Sequence, residues 1–166
     1  MTLKRHANAS GLTRRVRDVA QPDFICLRED MLVGEAVRVM RDSDVSSILV
    51  AKPDKKINVL DDASPATSMV SLSHKKQYMG ILTERDFLYR VMAERRGPYK
   101  VTLGDIMSSP LITINENALV RDAIALLESK QIRRLPVISE QGDIIGLVTL
   151  KTVIGNMPSH NINLAE

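Results

Sequence analysis

Two short clusters combine side-chain types and spacings suited to chemistry. In Gly80-Ile81-Leu82-Thr83-Glu84-Arg85-Asp86 a hydroxyl and a carboxylate stand three residues apart after an apolar run. A carboxylate can accept both hydroxyl protons of a vicinal diol, and each charge-assisted hydrogen bond nets about 1.5–3 kcal/mol. The same Thr-x-x-Asp spacing is close to a capping box, with Thr83 as N-cap and Asp86 at the third helical position. The two roles are compatible, because a helix amino terminus also favours a nearby phosphate. The second cluster is Arg133-Arg134, directly ahead of Leu135-Pro136-Val137. Guanidinium matches phosphate through its bidentate fork, and the alternative is a pair of solvated surface arginines. His6, His74 and His160 are scattered, and no Walker loop, Gly-x-Gly-x-x-Gly or nucleophile elbow occurs. A single cysteine, Cys26, excludes an intramolecular disulfide framework or a multi-thiolate metal site, and in a β-type run it reads as a small buried hydrophobe.

The elements that must position these clusters follow from an internal repeat. At an offset of 87 residues, Val16-Arg17-Asp18-Val19 falls on Leu103-Gly104-Asp105-Ile106, and Phe24-Ile25-Cys26-Leu27 falls on Leu111-Ile112-Thr113-Ile114. Leu32, Val33, Ala36, Val37, Val39 and Met40 then meet Leu119, Val120, Ala123, Ile124, Leu126 and Leu127. Further on, Gly80-Ile81-Leu82-Thr83 matches Gly146-Leu147-Val148-Thr149 at an offset of 66, so the first copy carries a 21-residue insertion between about residues 52 and 76. That stretch is rich in Lys, Asp and Ser and broken by Pro53 and Pro65, which predicts a long loop, functional or disordered. Each copy reads as strand, helix, strand, strand, helix. Ile112-Thr113-Ile114 is a short strand, and Asn115 or Asn117 caps a helix with an apolar stripe at 119, 120, 123, 124 and 127. Leu135 to Ile138 is a strand whose Pro136 suits an edge or a strand start. Glu140 to Asp143 turn the chain, Ile144 to Val148 return as the hairpin partner, and a short helix starts near Thr149. In the first copy the last helix should present Phe87, Leu88, Val91 and Met92 on one face. The fold class is therefore α/β (α+β): two pseudo-twofold-related β-α-β-β-α repeats, residues 14–95 and 96–157, each too small to bury its own surfaces. Residues 1–13 form a basic flexible tail or transit segment, and 158–166 a carboxyl-terminal tail.

The 166 residues are 44% hydrophobic and 26% charged, the balance of a globular chain with an aliphatic core, since two Phe and three Tyr are its aromatics. No apolar run approaches the ~20 residues of a membrane-spanning helix. The net charge of +3 is local. Lys4, Arg5, Arg14, Arg15 and Arg17 face one acid, Asp18, within residues 1–22; the rest of the chain carries 18 bases against 19 acids. A basic, acid-poor start of this kind resembles a mitochondrial transit segment, with a solvated tail as the alternative, so the location reads as mitochondrial or cytoplasmic. The near-neutral body, without a basic–aromatic surface, argues against a nucleic-acid partner.

With the Gly104-Asp105-Ile106-Met107 lead-in, the Ile132-Arg133-Arg134-Leu135-Pro136-Val137 strand and Gly80 to Asp86, the chain resembles a tandem pair of cystathionine β-synthase (CBS) domains, the Bateman-type regulatory module, over about residues 15–156. The resemblance implies a homodimer of modules, a possible regulated enzyme partner, and an adenosine-containing ligand (AMP, ADP, ATP, S-adenosylmethionine or NADH) between repeats. It does not imply catalysis. Some stand-alone plant organellar pairs are similar in Thr-Glu-Arg-Asp, which favours the mitochondrial reading. The family pattern assigns Thr83 and Asp86 to ribose and phosphate, and assigns basic residues at the position of Arg133 and Arg134 to phosphates. Thr113 is a lining position. The second copy has Thr149 but Thr152 in place of the carboxylate, while the first has Ser46 and Ser47 in place of the arginines. One competent site is expected rather than two. The competing readings are an interaction scaffold with a decayed pocket and the regulatory part of a larger enzyme or transporter.

Overall fold

The structure, a computed structural model, describes residues 9–52 and 77–156. The insertion, most of the basic tail and the carboxyl-terminal tail lie outside the described residues, as do His6, His74 and His160. Two compact units make up the chain, and neither is continuous with a repeat. One spans Phe24–Ile112, and the other joins residues up to Asp23 with those from Thr113 onward.

In the first of these, β1 (Ile25–Arg28) runs parallel to β2 (Ser47–Ala51), and β2 pairs antiparallel with β3 (Tyr78–Thr83). Parallel neighbours require a crossover, here α2 (Val33–Asp42), which buries Val33, Ala36 and Met40. These residues pack with Leu27, Ile48, Val50 and Leu82, and with Val101, Leu103 and Ile106 from the lead-in of the second copy. The helix after β3, α3 (Glu84–Phe87), widens over Leu88–Met92 into a π turn in which the Ala93 amide reaches the Leu88 carbonyl at 2.9 Å. The expected apolar face is accordingly split. Phe87 and Val91 enter the core, whereas Leu88 is 57% and Met92 65% exposed.

The other unit repeats the plan with β4 (Ile114–Asn115), α4 (Val120–Ser129), β5 (Arg134–Ile138), β6 (Ile144–Thr149) and α5 (Leu150–Gly155). Val120, Ala123 and Leu127 are the buried residues of the α4 stripe. Neither Asn115 nor Asn117 caps α4: its N-cap is Leu119, whose amide donates to Asp122, while Asn115 accepts from the Asn117 amide at 2.9 Å. Pro136 lies in the central strand of the sheet, not at an edge. It has no N–H to give, and the ladder to β4 begins only at Val137, whereas β1 pairs with β2 along four residues. A turn (α1, Ala9–Leu12) and a 3₁₀ turn (Val16–Asp18) from the amino-terminal segment complete this unit, with Val16 and Val19 buried.

Each lead-in thus completes the unit of the other copy, by the same contacts. Arg15 bridges Leu119 and Thr102 bridges Leu32; Gln21 pairs with Leu147 and Ser108 with Ile81. Arg15 and Thr102, and Gln21 and Ser108, are equivalent at the 87-residue offset.

Candidate functional site

β3 delivers Thr83 in extended conformation to the start of α3, opposite the buried Ser47 of β2. The Thr83 amide and hydroxyl both donate to Asp86 Oδ2, each at 2.8 Å. The capping role foreseen for this pair is therefore present, and it also fixes the carboxylate. Asp86 is 16% exposed, and its Oδ1 lies 3.4 Å from a guanidinium nitrogen of Arg90, one turn on. A carboxylate offers about four lone-pair directions, so two engaged at Oδ2 and one at Oδ1 leave Oδ1 open to a further donor. Without movement of Arg90, Asp86 has room for one hydroxyl of a diol rather than two.

The equivalent junction of the other unit lacks this chemistry. The Thr149 amide donates to the Thr152 hydroxyl at 3.0 Å, the Thr152 amide donates to the Thr149 hydroxyl at 3.1 Å, and the Thr152 hydroxyl donates to the Thr149 carbonyl at 2.9 Å. Thr152 is buried, so its single hydroxyl is consumed in closing the cap. Arg134 stands across the strand pair from Thr149, in the register that Ser47 holds against Thr83. Arg134 is half-buried and Arg133, just before the strand, is exposed. Thr113 immediately precedes β4, one strand over, and is half-buried. The candidate residues fall into two groups: Thr83 with Asp86 in one unit, and Arg133, Arg134 and Thr149 with the neighbouring Thr113 in the other.

Arg90 lies outside the residues that the sequence singled out, although Asp-x-x-x-Arg at helical spacing signals an ion pair. A second unforeseen feature is a copy of the Thr83–Asp86 box at Thr102–Asp105, where Thr102 amide and hydroxyl each donate to Asp105 Oδ2 at 2.9 Å. These bonds, the amide first and the hydroxyl second, favour the ionised carboxylate and hold Asp105 below the ordinary carboxylate range. Among the described residues, no group of three or more His, Cys, Asp and Glu could hold a metal ion, and no helix is long and apolar enough to cross a membrane.

A CBS-domain family model matches residues 16–60 and 103–159. An uncharacterized protein of Methanopyrus kandleri is 39% identical over 87 residues, which is 52% of this chain and 44% of that protein. A mitochondrial CBS domain-containing protein of Arabidopsis thaliana is 29% identical over 81% of this chain and 57% of its own length. The chain thus spans about half the length of these curated relatives. In fold it is similar to a conserved CBS domain protein of unknown function from Thermoplasma acidophilum, with a TM-score of 0.68 at 20% identity, covering 87% of this chain and 70% of that one.

Proposed function

The chain belongs to the CBS-domain family, and on that premise we propose that it is a non-catalytic regulatory module that binds an adenosine-containing ligand of the AMP, ADP or ATP class. The observation that carries this reading is the Gly80-to-Asp86 motif at a strand-to-helix junction, with a fixed carboxylate that retains acceptor capacity at Oδ1. The second copy supports it by contrast, since Thr152 is spent on its own cap while Arg133 and Arg134 supply positive charge suited to phosphate. Asp86 is the ribose contact in this reading and the arginines are the phosphate contacts. Binding shifts a conformational equilibrium that a second copy or a partner enzyme reads out. The basic amino-terminal segment and the mitochondrial Arabidopsis relative support a mitochondrial location.

Calorimetry and thermal shift with AMP, ADP, ATP, S-adenosylmethionine and NADH test the reading. At least one should stabilise the protein; if none does, the interaction-scaffold reading replaces it. Asp86→Ala should weaken the best ligand by about tenfold or more, the ~1.4 kcal/mol of one good hydrogen bond. Replacing both Arg133 and Arg134 by Ala should reduce ATP affinity more than adenosine affinity. Equal losses for the two ligands would remove the arginines from the phosphate role.

A further inference from the structure

Asp86 is joined through Arg90 to a segment that carries no candidate ligand contact. Besides facing Asp86 Oδ1 at 3.4 Å, the Arg90 guanidinium donates to the Ile106 carbonyl and, at 3.1 Å, to Ser108 Oγ. Ser108 belongs to the strap that closes the free edge of β3: its amide donates to the Ile81 carbonyl at 3.0 Å, and the Ile81 amide donates back to Ser108 at 3.1 Å. The strap runs on through Ile112 to Thr113, where the other compact unit resumes.

The other unit shows that such a strap does not require an arginine of this kind. Gln21 makes the same pair of backbone bonds with Leu147, at 2.9 and 2.8 Å. The residue equivalent to Arg90 there is Asn156, whose amide group donates to the Thr152 carbonyl at 2.8 Å and whose own carbonyl accepts from Arg14 at 3.0 Å. The strap is common to both copies. Among the described residues, its connection to a carboxylate through this helix position is found in the copy that holds Asp86.

We propose that Arg90 is a transmission residue: it couples the charge on Asp86 to the 106–108 strap, and a diol that takes Asp86 Oδ1 draws Arg90 off and loosens that strap. The ligand consequence rests on the reading of Asp86 given above, whereas the coupling itself does not. The contact to Asp86 is long for a guanidinium–carboxylate bond and Arg90 is 43% exposed, so this is the bond an incoming hydroxyl displaces. The same guanidinium nitrogen serves Asp86 and Ser108, so a change at one acceptor is felt at the other.

Amide hydrogen exchange on the full chain tests the coupling without any ligand. Arg90→Gln should speed exchange at Ser108 and Ile81 by threefold or more, while the β1–β2 amides stay protected and report intact folding. Asp86→Asn keeps an acceptor for the Thr83 amide but removes the charge facing Arg90. It should also speed exchange at these two amides, and add nothing in the Arg90→Gln background. Additive effects, or no effect of Arg90→Gln, overturn the coupling. In a second arm AMP is added: it should speed exchange at Ser108 in the native protein but not in Arg90→Gln, which should bind AMP at least threefold more tightly. AMP that binds and leaves Ser108 unchanged, or binds Arg90→Gln more weakly, overturns the displacement. Failure of AMP, ADP, ATP, S-adenosylmethionine and NADH to bind either protein overturns the adenosine reading and the displacement with it, and the exchange cycle still decides the coupling.

Discussion

Single residues carry two kinds of constraint here, one visible in their type and one only in their surroundings. Gly80 and Gly146 are motif members in the sequence, and the structure gives each a steric reason. A Cβ on Gly80 would sit 2.6 Å from the Ser108 carbonyl oxygen, and one on Gly146 would sit 2.6 Å from that of Gln21. Both obstacles are backbone, fixed by the strap pairing, and cannot rotate away. Gly80→Ala and Gly146→Ala should each cost about 1–3 kcal/mol in urea unfolding, as overpacking typically does. A neutral result would mean that the straps are loosely held. Asp105 gives a pH signature. Its carboxyl is held below the ordinary value by the Thr102 amide and hydroxyl, so its stabilisation is complete above about pH 4 and is lost as pH falls toward the lowered value. In thermal unfolding between about pH 5 and pH 2.5, the advantage of the native protein over Asp105→Asn should shrink with acid. An advantage that grows instead would contradict the assigned bonds. At this scale the Thr83–Asp86 box is legible in the sequence because Thr-x-x-Asp is a local pattern, while the same pattern at Thr102–Asp105 stands out only in the structure. The Asp86–Arg90 pair is also local, at i,i+4 spacing, but its link to the strap is not, because Ser108 lies 22 residues from Asp86 in sequence and meets Arg90 only in space.

Elements were legible where periodicity is strict and misread where one residue alters the backbone. The α4 stripe is legible because burial follows helical spacing at Val120, Ala123 and Leu127. The face expected at residues 87, 88, 91 and 92 is split because the helix widens over Leu88–Met92, and a wider turn carries Leu88 and Met92 off the buried side. The missing N–H of Pro136 predicts a strand margin, yet a central strand tolerates it where β4 begins its pairing one residue later. The helix ends hold a symmetry that composition hides. Asp44 and Gln131, equivalent residues after α2 and α4, both take φ 52°, in the left-handed region. The next amides, Val45 and Ile132, donate at 3.0 Å to Met40 and Leu127. This is the Schellman termination that normally selects glycine. Left-handed backbone costs a residue with a Cβ about 1–2 kcal/mol, and glycine recovers it against a larger entropy loss. Gln131→Gly should therefore stabilise the protein by about 0.5–1 kcal/mol, read as a raised urea midpoint at unchanged slope. Destabilisation would show that the Gln131 side chain contributes more than its backbone strain removes.

For the whole molecule, the 87-residue offset revealed two copies but not that their lead-ins are exchanged, since an offset compares each copy with the other and carries no information about which copy a segment packs on. Val101, Leu103 and Ile106 follow the first copy in sequence as the start of the second, yet they are buried in the core with Leu27, Ile48 and Leu82. Burial of side chains of this size is worth about 1.5–3 kcal/mol each, so a fragment that stops near residue 95 forfeits several kcal/mol of a total that is itself only about 5–15 kcal/mol. The exchange also distributes the candidate chemistry: Thr83, Asp86, Arg90 and Ser108 all belong to the Phe24–Ile112 unit, so the proposed transmission is internal to one compact body. Residues 24–112 expressed alone should give a cooperative unfolding transition and dispersed amide signals, and residues 14–95 should not. Residues 113–166 alone should remain largely unfolded, because β6 lacks the Gln21 strap and the core lacks Val16 and Val19. Adding a peptide of residues 9–23 should restore their structure, with protection appearing at Leu147 and Val120, whose amides donate to Gln21 and Arg14. If residues 14–95 fold as well as residues 24–112, and the peptide changes nothing, the lead-ins contribute little and each copy is its own folding unit.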